Sequence, residues 1–355
     1  MVDPLAFHQN NYPTYLRARH ATEVASRALQ WVGNAVTGVA TLGGPMDLST
    51  TPHVLAIGEA LIDVVITPDE PDFPQEIPGG SPANVALTLG RLGRPVALST
   101  WIGADERGRL IEFHLRDSDV EITPESRGAS RTSTALARLD AQGQASYTFD
   151  LEWAPTSPLP VSDTAVVVQA GSISSVIEPG ATVVLEALER SRAHALVVFD
   201  PNARPSIMGE PARALATIER FVAVSDIVKV SDEDVEWLTE SAPLEDTITR
   251  WLGMGPSMVV VTRGKHGSLA VTASGVRLSK TPNDVPVVDT VGAGDSFTGG
   301  IIDALWELGL TGAGARDALR GIDEASVAAV LDRASAVSDV TVSRAGANPP
   351  WKYEL

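Results

Sequence analysis

Cysteine is absent from all 355 residues of this chain. That excludes disulfides, thiolate metal sites and cysteine nucleophiles together, and it fits a reducing compartment; the expected location is the cytoplasm. No apolar run reaches the length needed to cross a bilayer. The start of the chain lacks the basic-then-apolar pattern and the cleavage site of a secretory signal. Basic residues are scarce: 27 Lys and Arg stand against 45 Asp and Glu, a formal net charge of -18. Nucleic acid and anionic membrane surfaces are therefore disfavoured as partners, because both need clustered Lys and Arg. A small anionic ligand needs only a local pocket. Internal repeats and low-complexity blocks are also missing.

What remains is an ordinary globular composition, 44% hydrophobic and 20% charged. The length suits one large α/β domain with an appendage, or two domains. Residues 1–51 are expected to be an N-terminal extension, disordered or weakly helical: Ala21 to Val39 is weakly amphipathic but carries Gly33 and Gly38. Met46 opens a stretch leading straight into the first strand, so residues 1–45 read as an upstream addition.

From there the pattern alternates. Val54 to Gly58 reads as a buried strand, Asn84 to Leu92 as a helix ending at Gly93, Val96 to Ile102 as a strand, and Arg107 to Leu115 as a helix. Ser133 to Asp140 and Ala145 to Asp150 form a hairpin around Gln142-Gly143, with Ile62 to Thr67 able to pair beside it. This small sheet, near 62–78 and 131–155, is read as a lid. Alternation then resumes with strands at Val166 to Ala170, Ala195 to Asp200, Asp226 to Val230 and Met258 to Thr262. Helices lie between and after them, the last two at Asp295 to Leu308 and Glu324 to Ser338. The expected fold is α/β, a doubly wound, mostly parallel sheet flanked by helices. Ligands of such sheets sit beyond the carboxyl ends of strands, where every motif below is expected to fall.

Gly79-Gly80-Ser81-Pro82-Ala83-Asn84-Val85-Ala86 lets a ligand approach the backbone, and Asn84 suits a sugar hydroxyl. The blander reading makes Ser81 the cap of the next helix, with Pro82 at its start. Asp63 follows a buried strand inside an apolar segment and needs partners if buried; a diol supplies them, but so does a turn. Phe199-Asp200-Pro201-Asn202-Ala203-Arg204 ends another strand, where an Asx turn is the plain alternative. Lys229-Val230-Ser231-Asp232-Glu233-Asp234 enters a helix, and capping explains most of it. Thr262-Arg263-Gly264-Lys265-His266-Gly267 is a glycine turn and weak evidence for phosphate binding.

Asp289-Thr290-Val291-Gly292-Ala293-Gly294-Asp295 is far more specific. A glycine turn opening a helix exposes N–H groups that can hold an anion. An acid directly after them adds like charge, which makes sense if Asp295 takes a proton from something beside that anion. Such equipment moves a phosphoryl group onto a hydroxyl. A nicotinamide dehydrogenase would want G-x-G-x-x-G after the first strand, which Gly58-Glu59-Ala60-Leu61-Ile62-Asp63 does not supply. A non-catalytic binding protein would have little need of Asp295.

On the strings at 79–86 and 289–300, and on their order and spacing, the chain from about Pro52 to Pro350 resembles the ribokinase (PfkB) family of carbohydrate kinases, most of all its bacterial fructokinases. The resemblance implies a ribokinase-like domain over 52–350 with a short tail at 351–355. It implies ATP-dependent phosphorylation of a sugar, with fructose favoured by the GEALID and FDPNAR strings. The alternatives are ribose, 2-keto-3-deoxygluconate, a nucleoside or a non-catalytic role. It implies Asp295 as general base and the backbone of Gly292, Ala293 and Gly294 as anion hole. Asp63, Gly79, Gly80, Asn84 and Arg204 would line the sugar site. Lys229, Ser231, Thr262, Gly264 and Gly267 would lie on the nucleotide side. Magnesium is implied near Asp234, where the family's Asn-x-x-Glu is replaced by Ser231 and Asp234. A potassium ion is implied at Asp289 with the carbonyls of Val291 and Gly346. A homodimer through the lid is a further implication.

Overall fold

A computed structural model describes residues 46–140 and 145–355; the expected extension at 1–45 and the Gln142-Gly143 turn lie outside the described residues. Residues 46–51, grouped with the extension, instead form a turn docked on the domain. The carbonyl of Leu48 accepts the hydroxyls of Ser162 at 2.9 Å and Thr164 at 2.5 Å.

The chain begins with β1 (His53–Ile57), β2 (Leu61–Ile66), β3 (Gln75–Gly79), α1 (Ser81–Arg91), β4 (Val96–Ser99), α2 (Glu106–Arg116) and β5 (Val120–Ile122). The hairpin β6 (Thr134–Leu139) and β7 (Ala145–Asp150) follows, then β8 (Ala165–Gly171), α3 (Gly180–Ser191), β9 (Leu196–Asp200), the short α4 (Pro205–Met208) and α5 (Pro211–Val224). Next come β10 (Ile227–Ser231), α6 (Asp232–Leu238), α7 (Leu244–Met254), β11 (Met258–Thr262), β12 (Ser268–Thr272) and β13 (Arg277–Lys280). The described chain closes with α8 (Ala293–Glu307), α9 (Arg316–Arg320) and α10 (Glu324–Val342).

Nine of these strands form the main sheet in the order β13-β12-β11-β10-β9-β8-β1-β4-β5. Neighbours from β11 to β5 run parallel, and only β12 and β13 are antiparallel additions. Its central strands are mainly apolar because both faces are covered, with Gln169, Asp200 and Lys229 as buried exceptions. Along β1, Val54 and Ala56 join a core with α1, α8 and α10, including Leu87, Ile301 and Val330. Leu55 and Ile57 point the other way, into a core with Val184, Phe221 and Trp251 from α3, α5 and α7. That is the period-two alternation of a strand, read as two apolar layers. The chain winds from β1 out to β4 and β5, then returns to β8 on the other side of β1. The reversal leaves a crevice at the carboxyl ends of β1 and β8, where ligands bind in folds of this type.

The remaining strands form a second sheet, β3-β2-β6-β7, in which β2 and β6 are parallel with Asp63 opposite Ala135. The hairpin and its pairing with β2 agree with the alternation in the sequence. β3 falls largely within the lid segment expected near 62–78 but was not itself expected as a strand; an edge strand tolerates Pro78 and the polar start of the segment. The short β5 and the polar β12 and β13 were likewise not expected. The strand expected at Val96 to Ile102 stops at Ser99. One expectation fails outright. Three motifs follow main-sheet strands, at the ends of β9, β10 and β11, and the Gly58–Asp63 segment follows β1 but carries Asp63 into β2 of the small sheet. The glycine pair follows β3 of the small sheet, and Asp289 to Gly292 is separated from β13 by residues 281–288, which form no strand.

Candidate active site

The start of α8 sets the geometry. Its N-cap, Gly292, has φ 73°, and a Cβ there would meet Cβ of Ala347 at 2.7 Å; only glycine fits both conditions. Among the described residues no protein acceptor takes the N–H of Gly292, Gly294 or Asp295. The N–H of Ala293 is already used, donating to the Thr290 carbonyl at 3.2 Å. The expected ring of amides is thus present, but with Ala293 turned to closing the loop and the Asp295 N–H in its place.

Asp295 is buried, 6% exposed, and three donors from two distant elements hold its carboxylate. Ser81 donates to Oδ1 at 2.7 Å, Asn84 to Oδ2 at 2.8 Å, and Asn202 to Oδ1 at 3.3 Å. Ser81 and Asn84 share the first turns of α1. Asn202 stands in the turn after β9 with φ 38°, a strained conformation that asparagine tolerates better than most residues. Ser81 is not the cap of α1: Gly80 is, with no side-chain bond, and the Ser81 hydroxyl reaches across to Asp295 instead. Burial pushes the Asp295 carboxyl above the usual carboxylate range, against bonds from Asn84 and Ser81, while the Asp200 charge adds to the rise. A carboxylate so raised is a better proton acceptor at neutral pH.

Beside it lies a buried ion pair. Lys229 of β10 donates to Oδ2 of Asp200, the last residue of β9, at 2.9 Å. The hydroxyl of Thr298 reaches the same oxygen at 3.0 Å. Oδ1 of Asp200 is buried with no hydrogen-bond partner. Burial lowers the Lys229 ammonium, but the Asp200 charge and bond outweigh it and the net shift is upward.

On the opposite wall, Asp63 of β2 leans over Gly79, where a Cβ would come within 2.5 Å of its Oδ2. Burial pushes the Asp63 carboxyl up to about 6, and only the charge of Arg204 opposes it. Arg204 donates to Oδ1 of Asn202 at 2.7 Å, and its charge also acts on Glu59 and Asp234. Gly80, at φ 108°, would bring a Cβ within 2.4 Å of the Glu59 carbonyl. Asp63, Gly79, Gly80, Asn84, Arg204 and Asp295 therefore converge on one crevice.

Lys229, Ser231 and Asp234 adjoin it. Asp234 forms a capping box with Ser231 at the start of α6, and its Oδ1 accepts the N–H of Ala203 at 3.1 Å. Both of its oxygens are thus in use, as the capping explanation expects. Thr262 pairs in register with Ser231 one strand over, and the turn after it places Gly264 at φ 46° facing open space. Gly267 is packed so tightly that a Cβ would lie 1.9 Å from the Lys280 carbonyl. Asp289, Val291 and Gly346 also come together, through amides: Oδ1 accepts the N–H of Val291 at 3.0 Å and Oδ2 that of Gly346 at 2.7 Å. Among the described residues no three acidic or histidine side chains cluster to hold a metal unaided. Magnesium rarely needs such a cage, since it keeps water and phosphate ligands, and the orphaned Asp200 oxygen suits a bound water of such an ion.

Sequence reasoning missed Ser81, Asn202, Asp200, Thr298 and Glu59 as site residues. Asp200 and Asn202 carried a signal, being polar residues directly after an apolar strand. Ser81 carried none, because helix capping accounts equally for a serine there.

The chain matches the family described as pfkB family carbohydrate kinase over residues 51–353. It is 35% identical to the fructokinase of Rhizobium leguminosarum bv. trifolii over 262 residues, 71% of this chain and 79% of that protein. Its fold is similar to the ATP-bound fructokinase of Xylella fastidiosa, with TM-score 0.71 and 26% identity over 84% of this chain and 94% of the other. It is also similar to a double mutant of the Vibrio cholerae O395 fructokinase in its fructose, ADP and potassium ion bound form, with TM-score 0.67 and 25% identity, again over 84% and 94%.

Proposed function

Because this chain belongs to the pfkB family of carbohydrate kinases and is a sugar phosphotransferase, we propose that it transfers the terminal phosphoryl group of ATP to a hydroxyl of fructose, with Asp295 as general base. The observation that carries this reading is the buried Asp295 carboxylate, held by Ser81, Asn84 and Asn202 at the open N-terminus of α8. Asp63, Asn84 and Arg204 hold the sugar hydroxyls on one side. The amides of Gly292, Gly294 and Asp295, with Lys229, receive the phosphate charge on the other. Asp295 takes the proton of the acceptor hydroxyl as its oxygen bonds to phosphorus and the bond to ADP breaks. Most of the rate comes from positioning and charge neutralisation, not covalent chemistry by the protein.

Thr262, Gly264 and Gly267 line the path of the nucleotide. Asp200 and Asp234 would hold a magnesium ion through its waters, and such an ion would supply neutralisation of phosphate charge. Potassium would sit against the clip of Asp289, Val291 and Gly346, using the two carbonyls; a similar fructokinase with a potassium ion bound supports potassium as the ion. The small sheet acts as a lid that keeps water from the phosphoryl group. A homodimer would form through this lid. Fructose as acceptor is supported by the names of the relatives and by the GEALID and FDPNAR strings.

The test is a coupled ADP-release assay over fructose, ribose, 2-keto-3-deoxygluconate and nucleosides, with and without potassium, on wild type and Asp295→Asn. Fructose should give the highest kcat/KM, and the variant should lose roughly 100-fold to 10,000-fold in kcat with sugar affinity retained. A variant turning over at wild-type rate ends the base assignment. A different best sugar ends the fructose assignment alone.

A further inference from the structure

Glu59 is separated from the end of β1 by Gly58 alone, is 6% exposed, and takes no part in the reaction as described above. Two backbone N–H groups from distant parts of the chain converge on its carboxylate. Ser81 donates to Oε1 at 3.4 Å and Ser174 to Oε2 at 3.3 Å. Ser81 is the first residue of α1; Ser174 belongs to the tight turn Ser172–Ser175 after β8. Neither start has a side-chain cap of its own, since Gly80 and Gly171 occupy the capping positions. Buried helix starts leave N–H groups that cost free energy when unmet. A carboxylate supplied from β1 meets one in each element and complements the dipole of α1.

The packing leaves these pieces little freedom. A Cβ on Gly58 would stand 2.3 Å from Cγ of Pro82 and 2.8 Å from Oγ of Ser174. The loop held in this way carries Ser81, whose hydroxyl donates to Asp295 at 2.7 Å. A continuous chain thus runs from Glu59 through Ser81 to the carboxylate beside the anion hole.

We propose that Glu59 is a positioning residue for phosphoryl transfer, gripping the Ser81 and Ser174 amides so that the Ser81 hydroxyl keeps the Asp295 carboxylate aimed at the acceptor. This rests on Asp295 being the base. Burial pushes the Glu59 carboxyl up to about 7, opposed by Ser172, by the charge of Arg204 and by the Ser81 amide. Arg204, before α4, is the charged group acting on it; Asp63 on β2 and Asp295 on α8 are the other acids around the same partners. Only the ionised form accepts from both amides with full strength, so turnover should fall as pH drops through 7.

Glu59→Gln keeps the shape and sets an NH2 group against one of the two amides. With the best sugar of the panel, kcat should fall roughly 10-fold to 100-fold, the scale expected for a misplaced catalytic group, with the KM for ATP little changed. The pH–kcat limb nearest 7 should disappear. Glu59→Gln combined with Ser81→Ala should be no slower than Ser81→Ala alone, because both cut one chain. Wild-type kcat and limb in Glu59→Gln, or losses that multiply in the double variant, overturn the proposal. Should Glu59→Gln not fold, Ser81→Ala decides: a slowed kcat at unchanged ATP KM and unfolding midpoint supports it, and a wild-type kcat overturns it. Asp295→Asn in parallel separates the two readings. Full activity there sinks the base assignment, whereas an inactive Asp295→Asn beside a full-speed Glu59→Gln sinks only the role of Glu59.

Discussion

The ammonium of Lys229 lies so close under Gly294 that a Cβ on the glycine would stand 2.9 Å from Nζ. The first turn of α8 and the buried Lys229–Asp200 pair are therefore one unit, and the absence of a side chain at 294 is what lets them meet.

Gly294→Val tests that unit. The added methyls push against Lys229 and fill the space over the free amides. We expect kcat/KM for ATP to fall by roughly 100-fold or more, the scale of losing an oxyanion donor, with sugar affinity largely retained. Unchanged ATP kinetics would remove the 292–295 backbone from the anion hole.

Asp63 gives a pH dependence with a definite sign. Its carboxyl is raised from 3.8 to about 6 by burial, against Arg204. The folded state therefore binds the proton more tightly than the unfolded chain, and stability falls as pH rises from about 4 to about 6. With Asp63 as the proposed sugar ligand, binding needs the ionised form, so KM for the sugar should drop over the upper part of the same window. Asp63→Asn should raise Tm at pH 7.5 while weakening sugar binding above about pH 6, where the wild-type carboxyl is ionised. A variant that melts below wild type at pH 7.5 would contradict the burial argument.

Asp289→Asn interrupts the clip between the loop before α8 and the C-terminal segment. One amide, of Val291 or Gly346, then faces an NH2 group and loses its acceptor, at about 1–3 kcal/mol. We expect a kcat roughly 10-fold lower, through the anion-hole loop this clip holds, and a shifted response in a potassium titration. A wild-type kcat and potassium curve would mean that the clip does nothing for the site.

Asp303 is a test of the scaffold alone. It is fully buried in α8 between Arg94, at 2.5 Å, and Arg333, at 2.6 Å. Asp303→Ala leaves the guanidinium of Arg94, 9% exposed, with Glu307 as its remaining acid partner, and removing one partner of a buried pair costs about 3–5 kcal/mol. Urea unfolding should show that loss as a lower midpoint. A midpoint equal to wild type would show that Arg94 is compensated by Glu307 alone.

How far the sequence reaches differs from element to element. β1, β8, β9, β10 and β11 were legible because strands covered on both faces must be mainly apolar, and few other structures allow such short runs. β3 was not, because Pro78 and its exposed neighbours carry the composition of a loop, and only pairing with β2 makes them a strand. Asp295 stood out as a candidate because an acid beside a glycine turn has little structural excuse. Ser81 and Glu59 were not, since each has an adequate local explanation and acquires another only from residues far along the chain.

By itself, the amino-acid order determined the layered α/β architecture and the chemical character of the Asp289–Asp295 turn. Both are written in local terms: periodicity of burial, glycine where φ must be positive, an acid after exposed amides. Tertiary structure alone decided which groups meet that turn. It brought Ser81 and Asn84 onto Asp295, Lys229 beneath Gly294 and Glu59 onto two helix starts, because spacing along the chain says nothing about which buried polar atoms will satisfy one another once the sheet has wound.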